Sequence, residues 1–127
     1  MPGIGTDIVE IERIRQAVQK RGRRLLDRLF TPEEQALCGA RRDPYPCYAG
    51  RFAAKEAVLK ALGTGLAGCH WTDVQIERDA AGAPVVRLAG PAAALAGGAR
   101  VLVSISHDRE RALAFALAWE GDDPSCG

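Results

Sequence analysis

The sequence predicts an α+β protein in which an antiparallel sheet packs against one long central helix. Three observations carry this. Residues 51–62 are rich in Ala, Leu, Lys and Glu, contain no Gly or Pro, and are closed by Gly63-Thr64-Gly65, where glycine can adopt the positive φ that ends a helix. Short β-branched or alternating runs recur at 3–9, 71–78, 84–88, 100–108 and 111–119, the period-two pattern of strands. The later runs are separated by tight, turn-rich joints, which favours hairpins.

The elements follow in chain order. In Gly3-Ile4-Gly5-Thr6-Asp7-Ile8-Val9, Ile4, Thr6 and Ile8 share one face and Asp7 and Val9 the other. Asp7 is unexpected inside a strand, because an unpaired carboxylate is costly to bury; the alternative is a frayed end that caps the next helix. Residues 11–29 read as helical, with Ile11, Ile14, Ala17 and Val18 at helical spacing and a break or bend at Gly22. Thr31-Pro32-Glu33-Glu34 starts a short helix, with a hydroxyl cap, Pro at the first helical position and acids in the first turn. A loop is expected over 41–46 before the central helix. After Gly65, Val74 and Ile76 are the buried positions of a strand, 79–83 is its turn, 84–88 the return strand, and 91–96 a short helix. Residues 1–120 are expected to form one domain and 121–127 a mobile polar tail.

Composition narrows the class. Of 127 residues, 47% are apolar and 26% charged, as in ordinary globular domains. Neither a secretory leader nor a membrane-length apolar run is evident, so a cytoplasmic protein is expected. Cys38, Cys47, Cys69 and Cys126 show no C-x-x-C pair, which argues against structural zinc and for free thiols in a reducing compartment. The net charge of +1 hides an asymmetry: residues 13–28 hold seven basic side chains and one acid, Asp27, so this segment is +6 and the remainder −5. Such a patch suits an acidic partner. A nucleic-acid module is the rival reading, but no aromatic residue interleaves with these arginines to stack bases, and it gives no reason for Asp7 or for Glu56 in the central helix.

Glu56 and Lys60 are four apart and share a helix face. Were the first strand to pack on this helix, Asp7 and Glu56 would meet, and two carboxylates plus ligand phosphates are how proteins usually hold Mg²⁺. Arg51, Lys55 and Lys60 would suit an anionic ligand such as a diphosphate. Ser104-Ile105-Ser106-His107 ends a strand with two hydroxyls on one face and an imidazole beyond, a candidate phosphate or ribose contact.

Three blocks, Gly3-Ile4-Gly5-Thr6-Asp7-Ile8-Val9-Glu10, Gly50-Arg51-Phe52-Ala53-Ala54-Lys55-Glu56-Ala57 with Lys60 and Gly63-Thr64-Gly65, and Ser104-Ile105-Ser106-His107, closely resemble the holo-[acyl carrier protein] synthase group of 4′-phosphopantetheinyl transferases. The resemblance implies that fold, and transfer of the phosphopantetheine arm of coenzyme A to a serine of an apo acyl carrier protein with release of adenosine 3′,5′-bisphosphate. It implies Mg²⁺, with Mn²⁺ as an alternative, on Asp7 and Glu56, and Lys60 as the catalytic lysine beside them. The coenzyme A contacts it implies are Arg51, Lys55, Gly63, Gly65, Pro84, Ser106 and His107. Arg13, Arg21, Arg24 and Arg28 are implied to dock the acidic carrier, and a homotrimer with sites shared between subunits is the implied assembly. Asp108 follows His107 where several relatives carry a hydroxyl residue, and Arg41 and Arg42 are further candidate phosphate contacts.

Overall fold

A computed structural model describes residues 3–63 and 67–121. Strand β1 (Gly3–Glu10) leads into α1 (Ile11–Arg21), α2 (Arg23–Leu29), α3 (Pro32–Gly39) and the long α4 (Tyr45–Ala61). A single 3₁₀ turn (Trp71–Asp73) precedes β2 (Val74–Arg78) and β3 (Pro84–Leu88), followed by α5 (Gly90–Ala96), β4 (Arg100–His107) and β5 (Arg111–Trp119). The main sheet is antiparallel in the order β1-β5-β4, with Asp7 opposite Ala114 and Ser106 opposite Leu113; β2 and β3 form a separate antiparallel ribbon. The expected α+β architecture is what the chain adopts.

One face of the main sheet lies on α4, and the part of that face contributed by β1 and β5 is made largely of small residues. Ala112, Ala114, Ala116 and Ala118 of β5 are buried against a helix whose own buried residues include Ala53, Ala57 and Ala61. In β1 the inward residues are Gly3, Gly5, Asp7 and Val9, while Ile4 and Ile8 point outward and are exposed. A Cβ on Gly5 would sit 1.9 Å from the Ala57 carbonyl oxygen, and one on Gly3 1.9 Å from that of Ala61. The two glycines are therefore needed for close approach, and Asp7 is carried onto the helix side by strand alternation.

Several boundaries differ from those the sequence predicts. The central helix starts at Tyr45 rather than near Gly50, inside the expected loop, because Pro46 falls in the first turn, where its missing N–H costs nothing. The Asp43 carboxylate accepts the Tyr45 N–H at 3.2 Å. The strand expected from 71 starts at Val74, since the His70 N–H donates to the Asp73 carboxylate and folds 71–73 into a turn. Gly22 does break the basic segment, at φ +66°. Thr31 and Glu34 form a reciprocal capping box at the start of α3. Gly65, Cys126 and the tail 122–127 lie outside the described residues.

The cysteines correct another expectation. Cys38 and Cys47, expected as free thiols, form a disulfide joining the end of α3 to the first turn of α4; Cys69 is a buried free thiol. The pairing depends on where α3 returns beside α4, so no local spacing signals it. Its loop is short, with a separation of nine residues, so reduction should cost roughly 2–3 kcal/mol on the loop-entropy account. Urea midpoints with and without dithiothreitol check this; coincident curves would show that the bridge contributes nothing to stability.

Candidate active site

The close packing of β1 on α4 sets Asp7 beside the last turns of the helix. Lys60 reaches across, donating to the Thr6 carbonyl at 3.0 Å and to the Asp7 carboxylate at 3.4 Å. Glu56, one turn earlier on the same helix face, is half-buried. Burial raises its carboxyl pKa above the ordinary 4.5, the neighbouring Asp7 carboxylate raises it further, and Lys60 opposes both. The three side chains expected to carry the chemistry are thus brought together. Asp7 and Glu56 open onto a cleft of about 680 Å³ lined also by Val9, Glu10, Arg13, Ile14 and Phe52.

Two carboxylates converge on this cleft, and no group of three or more potential metal ligands occurs among the described residues. That donor set fits a hard cation that keeps most of its shell for water and phosphate oxygens, as Mg²⁺ does. It fits a closed structural zinc site poorly.

Arg51 lies one turn before Lys55 on α4. It is 7% exposed, and its Nε is buried without a hydrogen-bond partner. Burial holds its pKa below the ordinary value, the charges of Arg41 and Arg78 lower it further, and Glu34 opposes them. A buried guanidinium among other cations is electrostatically suited to an anionic neighbour. Arg78, near the Pro84 turn through its pairing in the ribbon, was not singled out by the sequence; only the folded hairpin brings it near Arg51.

Lys55 is a correction. Expected to contact coenzyme A, it is fully buried and donates to Glu34 at 2.7 Å and to the carbonyls of Trp71 and Val74. All three ammonium protons are used within the fold. Its pKa is lowered by burial, with Glu34 opposing. The sequence showed a lysine near other cations on a helix; which way it pointed depended on a carboxylate twenty-one residues earlier.

Ser106 and His107 are not brought to the Asp7–Glu56 cleft within one chain. Ser106 is exposed, opposite the outward Leu113, and His107 is exposed at the end of β4. Gly63 takes φ +82° just past α4, as its position predicts for a helix stop. Asp108 serves the fold, since its carboxylate accepts the N–H groups of Glu110 and Arg111, both at 2.8 Å, and so closes the β4–β5 turn. Those two backbone bonds, Arg111 first, hold its pKa below the ordinary value.

Arg13, Arg21, Arg24 and Arg28 are all exposed on α1 and α2. Beside the cleft runs a second groove, with Arg13, Arg21 and Arg28 on its rim and Ile14, Leu25 and Phe52 among its apolar lining. Arg15 behaves differently from its neighbours. It pairs with Glu12 at 3.2 Å and Asp43 at 3.5 Å and lies 4.8 Å from the Tyr45 ring centroid, tying α1 to the start of α4.

Comparisons with known proteins identify the family. Residues 3–116 match the family model described as the 4′-phosphopantetheinyl transferase superfamily. A holo-[acyl-carrier-protein] synthase of Desulforudis audaxviator is 56% identical over 119 residues, covering 91% of each chain. The crystal structure of holo-[acyl-carrier-protein] synthase from Neisseria meningitidis superposes with a TM-score of 0.82 at 39% identity, covering 93% of this chain and 98% of that one. The Helicobacter pylori synthase in complex with coenzyme A gives 0.81 at 32% identity, covering 91% and 99%. The chain belongs to the holo-[acyl-carrier-protein] synthase family of the 4′-phosphopantetheinyl transferase superfamily and is an enzyme.

Proposed function

We propose that this enzyme transfers the 4′-phosphopantetheine arm of coenzyme A to a serine hydroxyl of an apo acyl carrier protein, dependent on Mg²⁺, releasing adenosine 3′,5′-bisphosphate. The observation that carries the reading is that Asp7 and Glu56 line one cleft while Lys60 donates to Asp7. In the reaction, the serine oxygen bonds to the β-phosphorus as the bond from that phosphorus to the oxygen bridging it to the α-phosphate breaks. Asp7 and Glu56 would hold the Mg²⁺, which when bound neutralises diphosphate charge and favours departure of the leaving group. Lys60, already oriented by Thr6 and Asp7, donates to the oxygens on which charge accumulates. Glu56 is the candidate acceptor of the serine proton, acting through one water.

Arg51 supports coenzyme A as the co-substrate, because it stands among the cations Arg41 and Arg78 and coenzyme A supplies several phosphates. The exposed basic side chains Arg13, Arg21, Arg24 and Arg28 support docking of an acidic carrier beside the cleft. Raising ionic strength should then raise KM for the carrier more than KM for coenzyme A. Steady-state kinetics at several salt concentrations tests this, and equal sensitivity would count against the docking face.

A homotrimer with shared sites is supported by the outward sheet face. Ile4, Ile8, Leu102, Leu113 and Phe115 are each 47–63% exposed there, a large apolar area for a free surface. Ser106 stands on that same face, so a neighbouring copy seated on it would bring Ser106 and His107 to a site they do not reach in one chain. Light scattering checks the assembly: the wild type should have three times the mass of the chain and Phe115→Asp should be monomeric, whereas a monomeric wild type would overturn the proposal.

The test of the reaction is the intact mass of an apo carrier after incubation with the enzyme, coenzyme A and Mg²⁺. A gain of one phosphopantetheine arm, absent with a chelator and with Asp7→Ala, is expected. No gain with any of several carriers from fatty acid, polyketide and peptide synthesis would overturn it.

A further inference from the structure

We infer that the buried Glu34–Lys55 ion pair is a positioning device, fixing the rotation of α4 about its axis and thereby the placement of Glu56, Lys60 and the Phe52 wall. The inference rests on the transferase reading of the Asp7–Glu56–Lys60 cleft.

Four segments end on this one pair. Lys55 Nζ donates to Glu34 Oε1 at 2.7 Å, to the Trp71 carbonyl at 3.0 Å and to the Val74 carbonyl. Glu34 Oε1 also accepts the Thr31 N–H at 2.9 Å, and Oε2 accepts the Ile76 N–H at 2.8 Å. The start of α3, the middle of α4, the 3₁₀ turn and β2 are thus held together by side chains only 1% and 0% exposed. Every donor and acceptor position that matters is filled.

The rest of the α4 interface explains why such an anchor is needed. The helix meets β1 and β5 of the main sheet mainly through alanine and glycine, with Val101, Val103 and Ile105 of β4 at the edge of that contact. Small side chains set the distance between two elements but offer few ridges to lock their rotation. A long, fully bonded lysine does lock it. Successive helical residues stand about 100° apart, so aiming Lys55 at β2 turns Glu56 toward the cleft, with Lys60 one turn further on the same side. The Trp71 carbonyl held by Lys55 belongs to the residue whose ring lies 4.9 Å from that of Phe52, and Phe52 lines the cleft with Glu56. Helix rotation and cleft wall therefore share one anchor. Buried ion pairs are often matched or exceeded in stability by apolar replacements, so stability alone gives little reason for this one.

Two variants test the role. Glu34→Gln/Lys55→Met removes both charges of the pair together and keeps a residue able to complete the capping box. Glu34→Asp keeps both charges but withdraws the carboxylate by one methylene. Each is measured for its urea midpoint, for kcat and both KM values at saturating Mg²⁺, and for backbone amide resonances by NMR without substrates. The expected result for each, in a cooperatively folded protein, is a fall in kcat of about 10- to 100-fold, KM for coenzyme A within about threefold, and displaced resonances at Phe52, Glu56 and Lys60. A merely structural pair moves the midpoint alone, so wild-type kcat and unmoved Glu56 and Lys60 resonances in a folded variant would overturn the inference. Failure of the wild-type protein to modify any carrier would instead overturn the transferase reading, while the resonance comparison still reads the positioning.

Discussion

Gly5→Ala is expected to lose more than about 3 kcal/mol of stability, beyond the common range for an overpacked side chain. The added Cβ would lie 1.9 Å from the Ala57 carbonyl oxygen and 2.9 Å from its carbon. Both obstacles are backbone, so no rotamer change relieves them, and β1 must move away from α4 by more than an ångström. Since domains are stable by only about 5–15 kcal/mol, a large share of the total is at stake, and the carriage of Asp7 to the helix goes with it. Gly39→Ala is the contrast: nothing lies within 4 Å of its added Cβ, and a helical alanine should match or exceed the glycine by up to about 1 kcal/mol. Urea unfolding of the two variants decides the matter; a wild-type midpoint for Gly5→Ala would refute the close-approach account.

Glu56→Gln should have opposite effects on activity and on stability. Loss of the proposed metal ligand and proton acceptor is expected to lower kcat by about 100-fold or more, and turnover equal to wild type would sink the role assigned to Glu56. Without metal, the same variant should be the more stable protein. The folded-state pKa of Glu56 lies above its ordinary 4.5, chiefly through burial and then through Asp7. Between those two values the folded state binds more protons than the unfolded state, so stability falls as pH rises through the window. The cost is absent below pH about 4.5 and complete above the folded-state pKa. Melting curves in chelator should therefore show a gap between Glu56→Gln and wild type that opens with rising pH and then stays level. A constant gap across the whole range would show that the carboxylate carries no such penalty.

Much of this was legible in the sequence where the signal was local. The start of α3 could be read from Thr31-Pro32-Glu33-Glu34, because a cap, an N1 proline and first-turn acids act within four residues. Asp7 and Glu56 stood out because neither a strand interior nor a mid-helix position suits a lone carboxylate. What could not be read was set by partners distant in the chain. Strand alternation divided Ile4 and Ile8 from Asp7, but the glycines that decide which face goes inward matter only against the carbonyls of Ala57 and Ala61. Pro46 resembled a loop residue until the Asp43 cap placed it in a first turn. Lys55 looked like a ligand contact because its charge was visible and Glu34, its partner, was not.

The alanine face of β5 has a consequence for how this enzyme can diversify. Alanine has no rotamers, so the surface on which α4 rests at β5 offers no side-chain freedom through which a single substitution could retune the helix position. Enlarging a residue there pushes whole backbones apart, and shrinking one leaves only glycine. The helix position is therefore mechanically stiff. On α1 and α2, by contrast, long exposed arginines can be exchanged without disturbing that packing.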